Sequence, residues 1–198
     1  MPEKGEAIRS FIAVELPAEL IKRLKDFQAG LSMARLRGVK WVEPGSTHLT
    51  LKFLGSVDAG RLEAVKGAAA VAVRSQRPFQ LTTGGTGFFP GPQRARVFWL
   101  GLEGDIDELG RLQQSIDRTM ADLGYESERR PFTAHLTLAR LREECSSAER
   151  LEFASLVRTA AFESGPPVKV RAVALMRSQL TPRGAVYTRV AEFPLQGR

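Results

Sequence analysis

Cysteine and histidine are nearly absent from this chain of 198 residues, and each shortage narrows what it can be. The single cysteine, Cys145, excludes an intrachain disulfide and with it a small secreted disulfide scaffold. One thiol also cannot build a thiolate metal site. The only histidines are His48 and His135, so imidazole acid–base chemistry near neutral pH falls to those two. No apolar run approaches the ~20 residues that a membrane helix needs. The N-terminal stretch MPEKGEAIRS carries acids and has no apolar segment ahead of a small-residue cleavage site, so no signal peptide is expected. The expectation is a reduced, soluble, cytoplasmic protein without membrane attachment.

What is present is ordinary in amount and uneven in kind. Apolar residues make up 43% and charged residues 26%, which excludes a disordered tail, a collagen and a coiled-coil rod. Lys plus Arg is 29 and Asp plus Glu 22, so the net charge is 29 − 22 = +7. Of the 29 cations, 22 are arginine, whose planar fork suits phosphate oxygens better than an ammonium does. Arginine excess also follows from G+C-rich coding, so charge alone leaves an anionic partner open. The length suits one large domain or two small lobes, with roughly 70% of the unfolded surface buried on folding.

Strand and helix patterns alternate along the chain. Arg9–Leu16 reads as a strand, and Pro17 opens a helix with Leu20, Leu24, Phe27 and Leu31 at helical spacing. Val39–Val42 and Thr47–Leu54 read as strands, followed by an Ala-rich helix capped by Asp58 and reaching about Arg74. Phe79–Thr83 reads as a strand, residues 82–94 as a loop, and Val97–Leu102 as a strand. Asp105 is placed to cap a helix whose Ile106, Leu109, Leu112, Ile116, Met120 and Leu123 form one apolar stripe. Ala134–Arg140 is a strand, Ser146 with Glu149 a capping box for a helix to about Phe162, and Val168–Leu175 and Ala185–Phe193 closing strands. His48 and His135 are 135 − 48 = 87 residues apart, as are Phe11 and Phe98. The order strand, helix, His-bearing strand, helix recurs at that offset, with no linker composition between. This predicts an internal duplication: two similar α+β lobes, each with an antiparallel sheet and helices, packed as one unit over residues 1–198.

Both histidines stand in one pattern, T-H-L-T-L-K (47–52) and A-H-L-T-L-A (134–139). Threonine is 11 of 198 residues, so a threonine two places after both histidines has a chance of about 0.3% before the flanking leucines are counted. On a strand, residues i and i+2 share a face. His48 then projects with Thr50 and His135 with Thr137, while Leu49, Leu51, Leu136 and Leu138 point the other way, into a core. Facing lobes would surround one atom with two imidazoles and two hydroxyls. That arrangement suits concerted proton transfer, one imidazole taking a proton from a nucleophile while the other gives one to a leaving group. Threonine hydroxyls can bond phosphate oxygens and an arginine can stabilise added charge. Arg140 closes the second motif and Arg129 and Arg130 precede it. Strict alternation places Arg140 on the face opposite His135, so it reaches the site only if the strand ends, twists or bulges.

The competing readings are weaker. One His-x-Thr on a strand is ordinarily a core or surface pair, but two matched copies hold every histidine here. A zinc site fails because two histidines with no carboxylate at i+2 or i+4 do not supply three or four ligands. The glycines of GGTGFFPG lack the G-K-[ST] or G-x-G-x-x-G of a nucleotide loop and read as a turn-rich connection. Trp41 and Trp99 lie in apolar strand contexts and are expected in the core. Cys145 reads as structural.

The paired H-L-T-L segments resemble the H-x-T-x motifs of the two-histidine (2H) phosphoesterase superfamily. Further segments narrow the resemblance to the bacterial and archaeal RNA 2′,3′-cyclic phosphodiesterases, historically called 2′-5′ RNA ligases. These are R-S-F-I-A-V (9–14), W-V-x5-H-L-T-L-K-F-L-G (41–55), G-F-F-P with R-V-F-W-L-G (87–101), R-R-P-F-x-A-H-L-T-L-A-R (129–140) and S-Q-L-x-P-x-G-A-x-Y (178–187). Ala134 stands where the family often has proline, a change expected to alter local rigidity rather than chemistry. The resemblance implies a bilobal α+β fold with the active site between the lobes. It implies hydrolysis of RNA 2′,3′-cyclic phosphate ends to 2′-phosphates without metal, and a monomer that takes no cofactor is expected. It further implies His48 as proton donor, His135 as proton acceptor, and Thr50, Thr137 and Arg140 as phosphate contacts. Reversible 2′-5′ ligation, 2′,5′-phosphodiester cleavage and a non-catalytic RNA-binding module are the alternatives.

Overall fold

The computed structural model describes residues 7–33, 37–181 and 184–197. Residues 1–6 of the N-terminal stretch, and Pro182 and Arg183 of the S-Q-L-x-P-x-G-A-x-Y segment, lie outside the described residues. In chain order the strands are β1 (Ala7–Glu15), β2 (Val39–Trp41), β3 (His48–Asp58), β4 (Phe79–Phe89), β5 (Val97–Gly104), β6 (His135–Leu141), β7 (Val168–Val170), β8 (Ala172–Thr181) and β9 (Gly184–Pro194). The helices are α1 (Ala18–Ser32), α2 (Leu62–Val73), α3 (Ile106–Asp122) and α4 (Ser147–Thr159).

The strands form two antiparallel sheets, β3-β1-β8-β9 and β2-β6-β5-β4-β7, giving an α+β fold of two lobes. Each motif strand pairs with the strand that begins its half, β3 with β1 and β6 with β5. The helices between them cross over. Gln28 on α1 donates to the carbonyls of Val42 and Leu138 at 3.1 and 3.0 Å, and Phe27 meets Phe162 edge-on, so α1 leaves the first sheet and packs on the second. Helix α3 leaves the second sheet and packs on the first, where Ser115 Oγ donates to the Ala72 carbonyl at 2.9 Å and Asp117 meets Lys52. The exchange joins the inner faces of both sheets into one apolar core with Ile12, Leu24, Leu49, Phe98, Leu112, Ile116, Leu136 and Phe153 at its centre. Burial of side chains this large contributes roughly 1.5–3 kcal/mol each.

Several expectations change. The loop expected over 82–94 is mostly strand: β4 runs to Phe89, with an irregularity between Thr83 and Thr86 that absorbs Gly84 and Gly85. Gly87 is required within it because the Trp99 ring lies across it, and a Cβ there would come within 2.2 Å of that ring. Asp58 ends β3 and makes no side-chain cap; a short 3-10 turn precedes α2. Asp105 occupies the N-cap of α3 but accepts from the Gln80 N–H at 2.8 Å instead, tying helix to sheet. Val168–Leu175 is two strands, since the chain passes from one sheet to the other at Arg171. The Ser146–Glu149 capping box forms in both directions, and its helix ends at Thr159. Among the described residues no helix is long and apolar enough to cross a membrane.

Candidate active site

The two motif strands build matching surfaces. His48 and Thr50 are half-buried on one face of β3 while Leu49 and Leu51 are buried behind it; His135, Thr137, Leu136 and Leu138 repeat this on β6. The two faces line one cleft of about 1500 Å³, which brings together His48, Thr50, His135, Thr137 and Arg140.

A bulge settles how Arg140 arrives there. Thr137 pairs with Trp99 but Ala139 pairs with Phe98, so Leu138 is an extra residue in β6. One inserted residue reverses the alternation, and Arg140 returns to the face of His135. Strand β3 has the same device: Thr50 pairs with Ala13 and Lys52 with Ile12, leaving Leu51 extra. Phe53 therefore holds the position in the first half that Arg140 holds in the second, and it lines the cleft with 65% of its surface exposed. The pairing also corrects the correspondence of Phe11 with Phe98. Glu15 faces His48 and Gly101 faces His135, an offset of 101 − 15 = 86, so Phe11, opposite Phe53, corresponds to Val97, opposite Arg140.

Each imidazole is fixed by its own backbone. Nδ1 of His48 donates to the Ser46 carbonyl at 2.9 Å, and Nδ1 of His135 to the Thr133 carbonyl at 2.7 Å. A carbonyl can only accept, so Nδ1 carries the proton and Nε2 is left to exchange one. Their surroundings differ. His48 stacks on Phe11 with ring centroids 4.5 Å apart and meets Tyr187 edge-on at 5.0 Å, above the small apolar cluster of Phe11, Ala13, Ala174 and Met176. Burial lowers the His48 pKa from its ordinary value, against the opposing pull of the Ser46 carbonyl. His135 has Phe89 edge-on at 5.0 Å and Trp99 at 6.4 Å. Trp99, expected in the core, is half-buried beside this histidine, whereas Trp41 does pack on the core rings of Phe98 and Phe153.

The ends of the cleft are unlike. At the Phe53 end stand Arg9, Arg129 and Arg130 with Glu126 and Glu128, and Arg129 pairs with Glu126 at 3.1 Å. Lys52 anchors this end: its buried ammonium donates at 2.5 Å both to Asp117 and to the Glu126 carbonyl. Burial would raise the Asp117 carboxyl, but hydrogen bonds from Lys52, the Glu128 N–H and Ser127, with the Lys52 charge, hold it below its ordinary range. At the Arg140 end stand Arg94, Arg96 and Arg150. Cys145 is buried against Gly38, and burial pushes its thiol pKa up. Among the described residues no group of three His, Cys, Asp or Glu side chains is placed to hold a metal ion.

Sequence reading missed Phe53, Phe11, Tyr187 and Phe89. The first had a signal, since it occupies the fifth place after His48 as Arg140 does after His135.

The profile described as LigT like phosphoesterase matches the chain twice, over residues 14–99 and 100–187. An RNA 2′,3′-cyclic phosphodiesterase of Methanothermobacter thermautotrophicus is 34% identical over 188 residues, covering 95% of this chain and 99% of its own. The crystal structure of a Thermus thermophilus protein superposes with a TM-score of 0.76 at 30% identity, covering 96% of this chain and 99% of the other. Escherichia coli LigT complexed with 3′-AMP does so with a TM-score of 0.73 at 26% identity, covering 96% and 99%. Two profile matches that between them take in both motif strands, and a relative at this identity over nearly its full length, place the chain in the LigT-like phosphoesterase family.

Proposed function

We propose that this protein hydrolyses RNA 2′,3′-cyclic phosphate ends to 2′-phosphomonoesters, without a metal, by paired histidine acid–base catalysis. The observation that carries the reading is the repeated bulged strand, which turns two His–Thr pairs and Arg140 toward one cleft with both Nδ1 atoms engaged. The relative from Methanothermobacter that bears this activity in its name adds support. We also read residues 1–198 as one bilobal unit that arose by internal duplication.

In the proposed reaction Nε2 of His135 takes a proton from water as the oxygen attacks phosphorus. The P–O3′ bond breaks, and His48 gives its Nε2 proton to the departing 3′ oxygen. Thr50, Thr137 and Arg140 hold the added negative charge of the phosphorane-like transition state. Both histidines then return to their starting states by proton exchange with solvent. His48 must be protonated to act as the donor, and burial of its ring opposes this. The anionic phosphodiester supplies the compensation, since a negative charge beside an imidazole favours its charged form. Binding and arming of the acid are thereby linked.

The test is incubation with a nucleoside 2′,3′-cyclic phosphate in the presence of a chelator, with the product isomer identified. Conversion to the 2′-phosphate is expected. A 3′-phosphate product, or activity that requires added metal, would overturn the scheme.

A further inference from the structure

The Arg140 end of the cleft carries more positive charge than one phosphate needs. Arg94, Arg96 and Arg140 line it together, and Lys40, the cross-strand partner of Arg140, continues the positive stripe on β2. Among the described residues none of the three guanidinium groups has a hydrogen-bonding or ion-pairing partner. Among the described residues no acidic side chain lines this end, whereas Glu126 and Glu128 stand among the arginines of the other. Gathering like charges without counter-charges works against folding, so it signals a polyanionic ligand rather than a structural role.

The segment that presents Arg94 and Arg96 is also braced. Ala95 between them is fully buried and both flanking arginines are exposed, Arg94 at the end of a short 3-10 turn. The Arg96 N–H donates to the Phe89 carbonyl at 2.8 Å, and the Arg96 carbonyl accepts from the Leu141 N–H at 2.9 Å, next to Arg140. Arg150 spends its guanidinium on backbone, donating to the carbonyls of Ala95, Cys145 and Arg142. One arginine thus locks the turn from which two others reach out.

Building on the reading of the cleft as a cyclic phosphodiesterase site, we propose that Arg94 and Arg96 form a subsite for the internucleotide phosphate that precedes the terminal nucleotide. The preferred substrate is then an oligonucleotide, with its 5′ strand leaving over the arginine end and its terminal base toward the exposed ring of Phe53.

The test compares wild type with Arg94→Gln/Arg96→Gln on a nucleoside 2′,3′-cyclic phosphate and on a hexanucleotide with the same end, from 50 to 200 mM salt. The ratio of kcat/KM for hexanucleotide over nucleoside should fall at least about tenfold in the variant. The salt dependence of hexanucleotide affinity should lose a slope of about 0.7, the single-strand value for the one phosphate that the pair no longer neutralises. Arg94→Lys/Arg96→Lys should keep most of that slope, because counterion release depends on charge. A ratio and slope unchanged in the glutamine variant, with an unchanged thermal melt, would overturn the subsite. If wild type converts neither substrate, the catalytic reading has failed on its own. Fluorescence anisotropy with a 3′-phosphorylated hexanucleotide then decides the subsite: weaker, less salt-sensitive binding in the glutamine variant supports it, and equal binding overturns it.

Discussion

The two halves of the cleft use one backbone and two different sets of side chains. Each has a His-Leu-Thr-Leu strand, a bulge at its second leucine, and an imidazole tied through Nδ1 to the carbonyl two residues before it. After the bulge the first half has Lys52 and Phe53 where the second has Ala139 and Arg140. Around the imidazole the first has Phe11 and Tyr187, the second Phe89 and Trp99. The repeated part sets positions and tautomers. The divergent part makes the two ends of the cleft unlike, and under the proposed function it fits a substrate with a phosphate on one side and a base on the other.

Removing either histidine attacks what the halves share. His48→Ala and His135→Ala should each lower kcat on a nucleoside 2′,3′-cyclic phosphate by about 10²–10⁴-fold. Each should leave the circular dichroism melt near that of wild type, because both side chains lie on the cleft face rather than in the core. Substantial activity in either variant would remove the two-imidazole scheme. Replacing the divergent residues should separate the halves. Arg140→Ala should cost about 10²–10³-fold in kcat, the range for losing one donor to a developing anion. Phe53→Ala should act mainly on KM, by about tenfold, as expected for losing one base-stacking ring. If both changes act on KM alone, the assignment of phosphate and base to opposite ends of the cleft is wrong.

The other divergent pair concerns stability. Lys52 is 4% exposed at its side chain and Asp117 19%, so the lysine depends more on its partner. Asp117→Ala should therefore destabilise more than Lys52→Met, by about 1.5–3 kcal/mol in urea unfolding, since it leaves a buried ammonium without its carboxylate. Asp117 titrates below its ordinary value, so its contribution is present above the unfolded-state pKa of 3.8 and is lost as pH falls through the folded one. Ala139 occupies the matching place in β6 and has no such pair, so Ala139→Gly should leave the acid limb of the stability curve in place.

The sequence carried the strands, the matched motifs and the direction in which their leucines point, because residue periodicity fixes those locally. It did not carry the bulges. HLTLKF and HLTLAR read as regular alternation, and the extra residue becomes visible only against β1 and β5, whose spacing across the halves is 86 rather than 87. That single residue decides whether Arg140 faces the cleft. Nor did it carry the crossing of α1 and α3. An apolar stripe such as Leu109, Leu112, Ile116 and Met120 shows that a face is buried, not which sheet buries it. Gly84, Gly85 and Gly87 read as a loop because turn residues and strand irregularities share one residue type. Gly87 is explained only by the ring of Trp99 across the ladder.

The finest feature of the first half is electrostatic, and the histidine shortage makes it measurable. With two histidines in the chain, a proton NMR titration shows two imidazole signals to assign. The His48 signal should titrate below the ordinary 6.5 in the free protein. Because its folded pKa lies below its unfolded one, the unfolded state binds more protons between the two, and stability rises with pH across that window. Tyr187 covers one edge of His48, with no ring contact to His135. Tyr187→Ala should admit water to the first imidazole and move its titration up toward 6.5. An unmoved His48 signal would mean that the aromatic cover does not set its pKa. Addition of a 2′-nucleotide should raise the His48 titration in both proteins, since the phosphate charge acts on the acid whether or not its cover is intact.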